Sequence, residues 1–436
     1  MNPVLARMSA LAPAIGSNPV LPLLPFSLEH IVQNKAFFLI CGQARVITVS
    51  LALLFGILFP SIVTGTAAET IVAAGGAHAL ALADDGAVWA WGFNDQGQLG
   101  DGSLQYTTSP VQIQGLPEIK SISAGYTCSL ALGRDGSVWA WGSNQFGELG
   151  NGTTISHHRP ERIKTLEHIA AIAVSTATVM AVKDDGSLWL WGQNSGLTPI
   201  PMPPVNGVAG IGLGQASLFV FTFDCVLWAW GKNSFGQLGE GTCLPHLKPI
   251  RNNLIACLSS IAASNHTLAV SSTGEIWSWG YNRDGQLGNA TNLNTSQPAI
   301  VPGLNNIVAV ACDLHSLALQ ADGSVWAWGQ NDCGQLGIGT AVARNLPAKV
   351  EGLRAVTGIG AGAMFSLAAK ADGSVWAWGL NNYGQLGDGT LDNRPSPTQV
   401  TGFDGLGLLN LKQSNSASTR SDKLSLANSR QIGFIH

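Results

Sequence analysis

The feature that most restricts this chain is a four-residue phrase, Trp-x-Trp-Gly, written seven times. The copies are Trp89-Ala90-Trp91-Gly92, Trp139-Ala140-Trp141-Gly142, Trp189-Leu190-Trp191-Gly192, Trp228-Ala229-Trp230-Gly231, Trp277-Ser278-Trp279-Gly280, Trp326-Ala327-Trp328-Gly329 and Trp376-Ala377-Trp378-Gly379. These pairs use all 14 tryptophans of the 436-residue sequence. They fall about 50 residues apart, except for a gap of about 39 after the third. A fixed period of roughly 40–50 residues marks a radial or stacked array, because one such unit cannot bury its own faces.

Each unit reads as four short strands. A small-residue strand such as Ile122-Ser123-Ala124-Gly125 comes first, followed by one such as His78-Ala79-Leu80-Ala81-Leu82. A tight turn follows, at Asp85-Gly86, Asp135-Gly136, Asp185-Gly186, Asp322-Gly323 and Asp372-Gly373. Asp-Gly tolerates the backbone angles of a hairpin, so the Trp strand returns antiparallel. Residues two apart in a strand share a face, which puts both indoles on one side and a small residue on the other. A large face can then press on the small face of the next sheet. Burying one indole removes roughly 150–250 Å² from water, an upper bound of about 4–6 kcal/mol. The tryptophans are therefore read as packing between sheets and not as a ligand platform.

A loop of the form Asn-x-x-Gly-Gln-Leu-Gly-x-Gly follows the Trp strand at 94–102, 144–152, 233–241, 331–339 and 381–389, and at 282–290 with Ala290 in the last place. A fourth strand then opens near Pro110, Pro160, Pro249, Pro298, Pro347 or Pro397. No Gly-Lys-Ser/Thr follows these loops, and their acidic residues are too few for a calcium cage. They are read as turn chemistry, and no cofactor or metal is expected. The third repeat lacks the loop and has Pro199, Pro201, Pro203 and Pro204 instead; the fourth has lost its turn glycine at Asp224-Cys225.

Charged residues make up 11% of the chain and the net charge is -4. An average soluble protein carries about 25% charged residues, and nothing here is basic enough to grip a phosphate backbone, so nucleic acid is not expected as a partner. The seven cysteines show no zinc spacing. Buried thiols are the reading for most of them, with a Cys243–Cys257 pair as one option outside the cytosol.

Residues 1–45 form an irregular leader. Residues 46–63 are almost wholly apolar, and small residues follow to position 68. A basic flank, an apolar core and a small-residue exit resemble an export signal, and the length also suits an uncleaved membrane anchor. Either way the expectation is an exported propeller, touching a membrane only through 46–63 if these are retained. Residues 69–403 carry the repeats. The first strand has no blade before it and the last repeat stops early, which predicts a ring closed by N- and C-terminal strands sharing one blade. Residues 404–436 are expected to be a disordered tail.

Two sets of positions are candidates for function. Eleven residues before each first tryptophan stand His78, Cys128, Thr178, Ser217, His266, His315 and Phe365. Their mixed chemistry argues against a metal or acid–base centre and for histidines bonded to backbone in their own blades, so no catalytic residue is assigned and no enzyme is expected. The variable places inside the constant loops say more. Phe93 and Tyr281 follow Trp-Gly; Phe146, Phe235 and Tyr383 precede a loop glycine. Aromatics freed from fold duty on a rim are typical binding anchors, and these five are read as a partner-binding surface. The competing reading is that they cap the blade ends.

The unit His-x-Leu-Ala-Leu, Asp-Gly-x-Val-Trp-x-Trp-Gly-x-Asn-x-x-Gly-Gln-Leu-Gly-x-Gly-Thr and Pro resembles the repeat of the regulator of chromosome condensation family over about residues 69–403. That resemblance implies an all-β, seven-bladed β-propeller of four-stranded antiparallel blades. It also implies, as an alternative function, guanine-nucleotide exchange on a small GTPase, which the family's founder performs on Ran through a protruding wedge. No repeat here carries such an insertion. The secreted propeller-type β-lactamase inhibitory protein is a relative in architecture that binds a protein through aromatic loop residues. The expectation is thus a monomeric, non-enzymatic exported propeller with an unidentified protein or cell-surface partner.

Overall fold

The computed structural model describes residues 71–252 and 257–412; the apolar leader and residues 413–436 lie outside them. The described residues form seven separate four-stranded antiparallel sheets, arranged as the blades of a propeller. Blade 1 shows the plan: β1 (Val72–Ala74), β2 (His78–Leu82), β3 (Val88–Gly92) and β4 (Thr107–Gln112), paired in that order. The first strands of successive blades pack on one another around the hub, and β1 packs on the first strand of blade 7, Val356–Ala361.

Strand periodicity builds the core. Ala79 lies opposite Trp91 and Ala81 opposite Trp89, while Leu80 lies opposite Ala90. One face of blade 1 therefore carries both indoles, which pack with Leu367, Ala377 and Leu386 of blade 7. Its other face, with Leu80, Val88 and Ala90, receives Trp141 of blade 2. The same large-on-small contact recurs for Trp191 over Ala140, Trp279 over Ala229 and Trp378 over Ala327. At the blade 3–blade 4 seam Trp230 meets the larger Leu190.

The glycine of Trp-x-Trp-Gly has a definite task. Gly92 adopts φ +98°, and a Cβ there would lie 2.6 Å from the Ala77 carbonyl oxygen. A side-chain-bearing residue would both strain this backbone and push the loop away from the β1–β2 turn. Seven non-glycine residues among those described have positive φ, and two of them, Ala290 at φ +63° and Cys225 at φ +67°, stand where the other repeats place glycine.

The first half of the proline-rich run of repeat 3, Pro199 and Pro201, lies in that blade's outermost strand, Gly196–Pro201, reached from Gly192 by a short turn, while Pro203 and Pro204 follow it. Cys225, in the turn of blade 4, is disulfide-bonded to Cys257 ahead of the first strand of blade 5. This corrects the expected Cys243–Cys257 pairing: Cys243 is a free, exposed thiol on the loop side of blade 4. Cys128 is buried, and Cys312 and Cys333 are half-buried.

The ring closes between its N- and C-terminal blades, but not through a mixed sheet. β1 pairs with β2 of its own repeat, and blade 7 already holds its own first strand. Closure is by face packing, reinforced by hydrogen bonds from Trp91 Nε1 to the Gln385 carbonyl at 3.0 Å and from the Gly389 amide to the Thr108 carbonyl at 3.0 Å. The segment expected to be disordered from residue 404 is ordered as far as 412, because it has apolar side chains to bury. Phe403 sets its ring edge-on to Trp89 at 6.4 Å, Thr401 bridges Leu408, and Leu409 and Leu411 are buried at the blade 7–blade 1 seam. The Asp84 amide of blade 1 donates to the Leu411 carbonyl at 2.9 Å.

Candidate functional site

Every long loop emerges on one face of the ring. The residue after Trp-Gly donates its amide to the carbonyl just beyond the first turn of the same blade: Phe93 to Ala77, Ser143 to Thr127, Lys232 to Ala216, Tyr281 to Asn265 and Leu380 to Met364. The turns that end the innermost strands and the variable loop positions are therefore neighbours, and together they make a face with the hub at its centre.

Constant side chains fix the loops from within. Asn94 Oδ1 accepts from the Leu99 amide at 2.9 Å, and its Nδ2 donates to the Gln105 carbonyl at 3.0 Å. Gln98 Oε1 accepts from the Gln96 amide at 2.9 Å. Asn144, Asn233, Asn282, Asn331 and Asn381 repeat the asparagine pattern. The loop then staples the next blade. The Gln98 carbonyl accepts from Trp141 Nε1 at 2.9 Å and from Ser129 Oγ at 2.8 Å. Equivalent indole bonds cross five other seams. Blade 3, without the loop, offers Trp230 no such carbonyl.

The three slot histidines belong to these staples. His78 Nε2 lies 2.9 Å from Ser129 Oγ, His266 Nε2 2.7 Å from Ser316 Oγ, and His315 Nε2 2.7 Å from Ser366 Oγ. Each serine belongs to the next blade and gives its own hydrogen to a loop carbonyl, so the imidazole must be the donor in the first bond. The expectation of a backbone partner within the same blade is corrected: the partner is a hydroxyl across the seam. Burial lowers all three imidazoles to about 3, leaving them neutral.

The five aromatic candidates do not form one patch. Phe93 of blade 1 and Tyr383 of blade 7 meet with ring centroids 4.5 Å apart. Phe235 of blade 4 and Tyr281 of blade 5 meet at 5.0 Å, with Lys232 Nζ 5.8 Å from the Phe235 ring. The pairing follows from geometry, since the place before the loop glycine in one blade abuts the place after Trp-Gly in the next. Phe146 stands by itself and is 46% exposed, and Tyr383 is 41% exposed. The pairs sit at well-separated seams and flank the hub.

Sequence reading passed over the hub itself. A cavity of about 140 Å³ opens there, lined by the inner turns and including Tyr126, Ser175, Gln215, Ser264 and Asp313. Ser264 Oγ donates to Asp313 Oδ1 at 2.9 Å, and Asn265 Nδ2 donates to Gln215 Oε1 at 3.1 Å. The signal available was the variation where the first strands end, such as Tyr126 after Gly125, Gln215 after Gly214, and Asp313 where other repeats have Gly or Ser. Among the described residues no His, Cys, Asp or Glu group is arranged to hold a metal ion.

Comparisons with known proteins agree with this architecture. A family model described as RCC1-like domain matches residues 57–351 and 199–420. The chain is similar in structure to Prp20p from Saccharomyces cerevisiae, with a TM-score of 0.68 and 23% identity over 79% of this chain and 96% of that one. Human WBSCR16 is similar at a TM-score of 0.64 and 20% identity, covering 72% of this chain and 94% of that one. Among curated proteins, 59 residues are 44% identical to the E3 ubiquitin-protein ligase HERC2 of Homo sapiens, which is 13% of this chain and 1% of that protein. Over 53 residues the chain is 42% identical to the mitochondrial RCC1 domain-containing protein RUG3 of Arabidopsis thaliana, 12% of each. The chain thus spans only a small part of the curated relatives it matches. With seven four-stranded blades and a match running through nearly all of them, this chain belongs to the RCC1-like domain family.

Proposed function

We propose that the chain is a non-enzymatic binding module that engages a protein or cell-surface ligand through its loop-bearing face. The observation that carries this reading is the division of labour in the loops. Their backbones are held by buried Asn and Gln side chains, while the tips present Phe93, Phe146, Phe235, Tyr281 and Tyr383. Rigid aromatic anchors lose little freedom on binding and are typical hot spots. Prp20p, similar in fold, is described by its binding properties to Gsp1p and histones, which supports protein partners as a class.

Export is part of the proposal. The Cys225–Cys257 disulfide fits an oxidising compartment, and the signal-like stretch 46–63 fits passage to one.

The test is capture of binding partners by the full chain and by a Phe146→Ala/Tyr383→Ala variant. Loss of a captured partner, with folding unchanged by circular dichroism, is the expected result. Unchanged capture would remove the face from consideration. Accelerated nucleotide release from a small GTPase would replace this reading with exchange activity, and sequencing of the mature N-terminus with cell fractionation decides export.

A further inference from the structure

The hub holds one acidic side chain and no basic one. Among the residues lining the cavity, Asp313 is the one Asp or Glu and none is Lys, Arg or His; burial raises its carboxyl above the usual range, while hydrogen bonds from Ser264 and Gln215 pull it back. Its carboxylate is held by Ser264 Oγ and by the Gln215 side chain, and no cation contributes to its environment. Protein surrounds it on the blade side, yet it retains partial access through the lumen. A carboxylate has about four acceptor positions; two are used, and the lumen is where a further donor can approach. Ionising a carboxyl shielded in this way is costly, and a cation approaching from the lumen would offset that cost.

Two hydroxyls add an independent observation. Ser175 Oγ, on the cavity wall, and Ser217 Oγ, beneath the wall residue Gly214, are shielded and have no hydrogen-bond partner. Ser217 is only 1% exposed. Native proteins rarely leave such atoms unsatisfied. The rest of the wall is Gly and Ala with Tyr126, Thr176 and Cys312, and Val174 and Leu213 are its larger aliphatic side chains.

We propose that the hub is a seat for a primary ammonium on an alkyl stem, a lysine side chain of the protein partner, with the ammonium on Asp313 and the stem against Val174 and Leu213. This rests on the reading of the loop face as a protein-binding surface and names what its centre recognises. A divalent metal fits less well, because calcium takes six to eight oxygens with several carboxylates and the hub supplies one. A lysine brings its own apolar stem and three donors, which the free acceptor positions of Asp313 can take up. The cavity is about 140 Å³, far more than the roughly 10–15 Å³ that one water requires.

The probe is n-butylammonium, titrated calorimetrically into the full chain, with n-butanol, valerate and calcium chloride as comparison solutes. Wild type should bind butylammonium and neither butanol nor valerate. Asp313→Asn, which preserves shape, should weaken binding at least about tenfold, as loss of about 1.4 kcal/mol implies. Gln215→Glu, a change at an exposed side chain, should tighten it. The Phe146→Ala/Tyr383→Ala variant should bind the probe as wild type does, which separates the hub from the rim. Absence of butylammonium binding, equal affinity in Asp313→Asn, or preference for calcium would overturn the hub assignment even if rim variants abolish partner capture. Conversely, probe binding with partner capture unaffected by the rim variant would leave the hub site standing and sink the rim reading.

Discussion

His78, His266 and His315 tie the chemistry of single residues to the stability of whole seams. Unfolded, an imidazole takes up a proton near 6.5; buried beside its serine it does so only near 3. Between those values the unfolded chain binds protons that the folded chain refuses. Stability is therefore complete above the unfolded value and falls as pH drops towards the folded one, at roughly 1.4 kcal/mol per pH unit for each histidine. Thermal unfolding followed from about pH 7 to about pH 4 should show this decline, and the triple variant to glutamine should flatten it. An equally steep profile in the variant would place the acid sensitivity elsewhere. The two tryptophans of a pair also differ. Trp141 is fully buried and donates to Gln98, whereas Trp139 is partly exposed and donates to Ser137 within its own hairpin. Trp141→Ala should cost about 3–5 kcal/mol and Trp139→Ala about half as much, measured by denaturant unfolding. The face shared by each pair was legible in the Trp-x-Trp spacing. The partner of each histidine was not, since it lies one repeat away in sequence and is set by how blades stack.

At the scale of elements, the loop that follows each Trp strand is a clamp on the neighbouring blade as much as a turn. Its Gln or Glu carbonyl takes an indole bond, and its last residue donates a backbone bond to the next outermost strand, as Gly102 does to His158 and Ala290 to Asn345. Blade 3 has exchanged the loop for a short turn, so the seam with blade 4 lacks both. Amide hydrogen exchange should be several-fold faster along Thr178–Lys183 and Ser217–Thr222 than along the matching strands of blades 6 and 7, as about 1 kcal/mol per missing bond implies. Uniform protection around the ring would show that apolar packing alone sets seam strength. The shortened loop was plain in the sequence. That its proline run still supplies an outermost strand was not, because proline usually argues against a strand and only an edge position tolerates it.

For the whole molecule, the count of blades was readable from the repeats but the manner of closure was not. An early stop in the last repeat looked like half a blade. The structure instead gives each blade four consecutive strands and uses residues 403–412 as a strap over the closing seam. Deleting residues 404–436 should lower stability by about 3–6 kcal/mol, the worth of burying Leu409 and Leu411, and a melting temperature equal to that of the full chain would show the strap to be dispensable.

A ring of wedges must also satisfy a sum rule: the angles between neighbours add up to a full turn, so a misfit anywhere is shared by all joints in inverse proportion to their stiffness. Six joints here are pinned by an indole bond and one is not. The blade 3–blade 4 joint is therefore the expansion gap of the ring, the place where a change in bore at the hub is taken up. Both Ser175 and Gln215, which stand on either side of that joint at the hub wall, lie where such a change would be felt first.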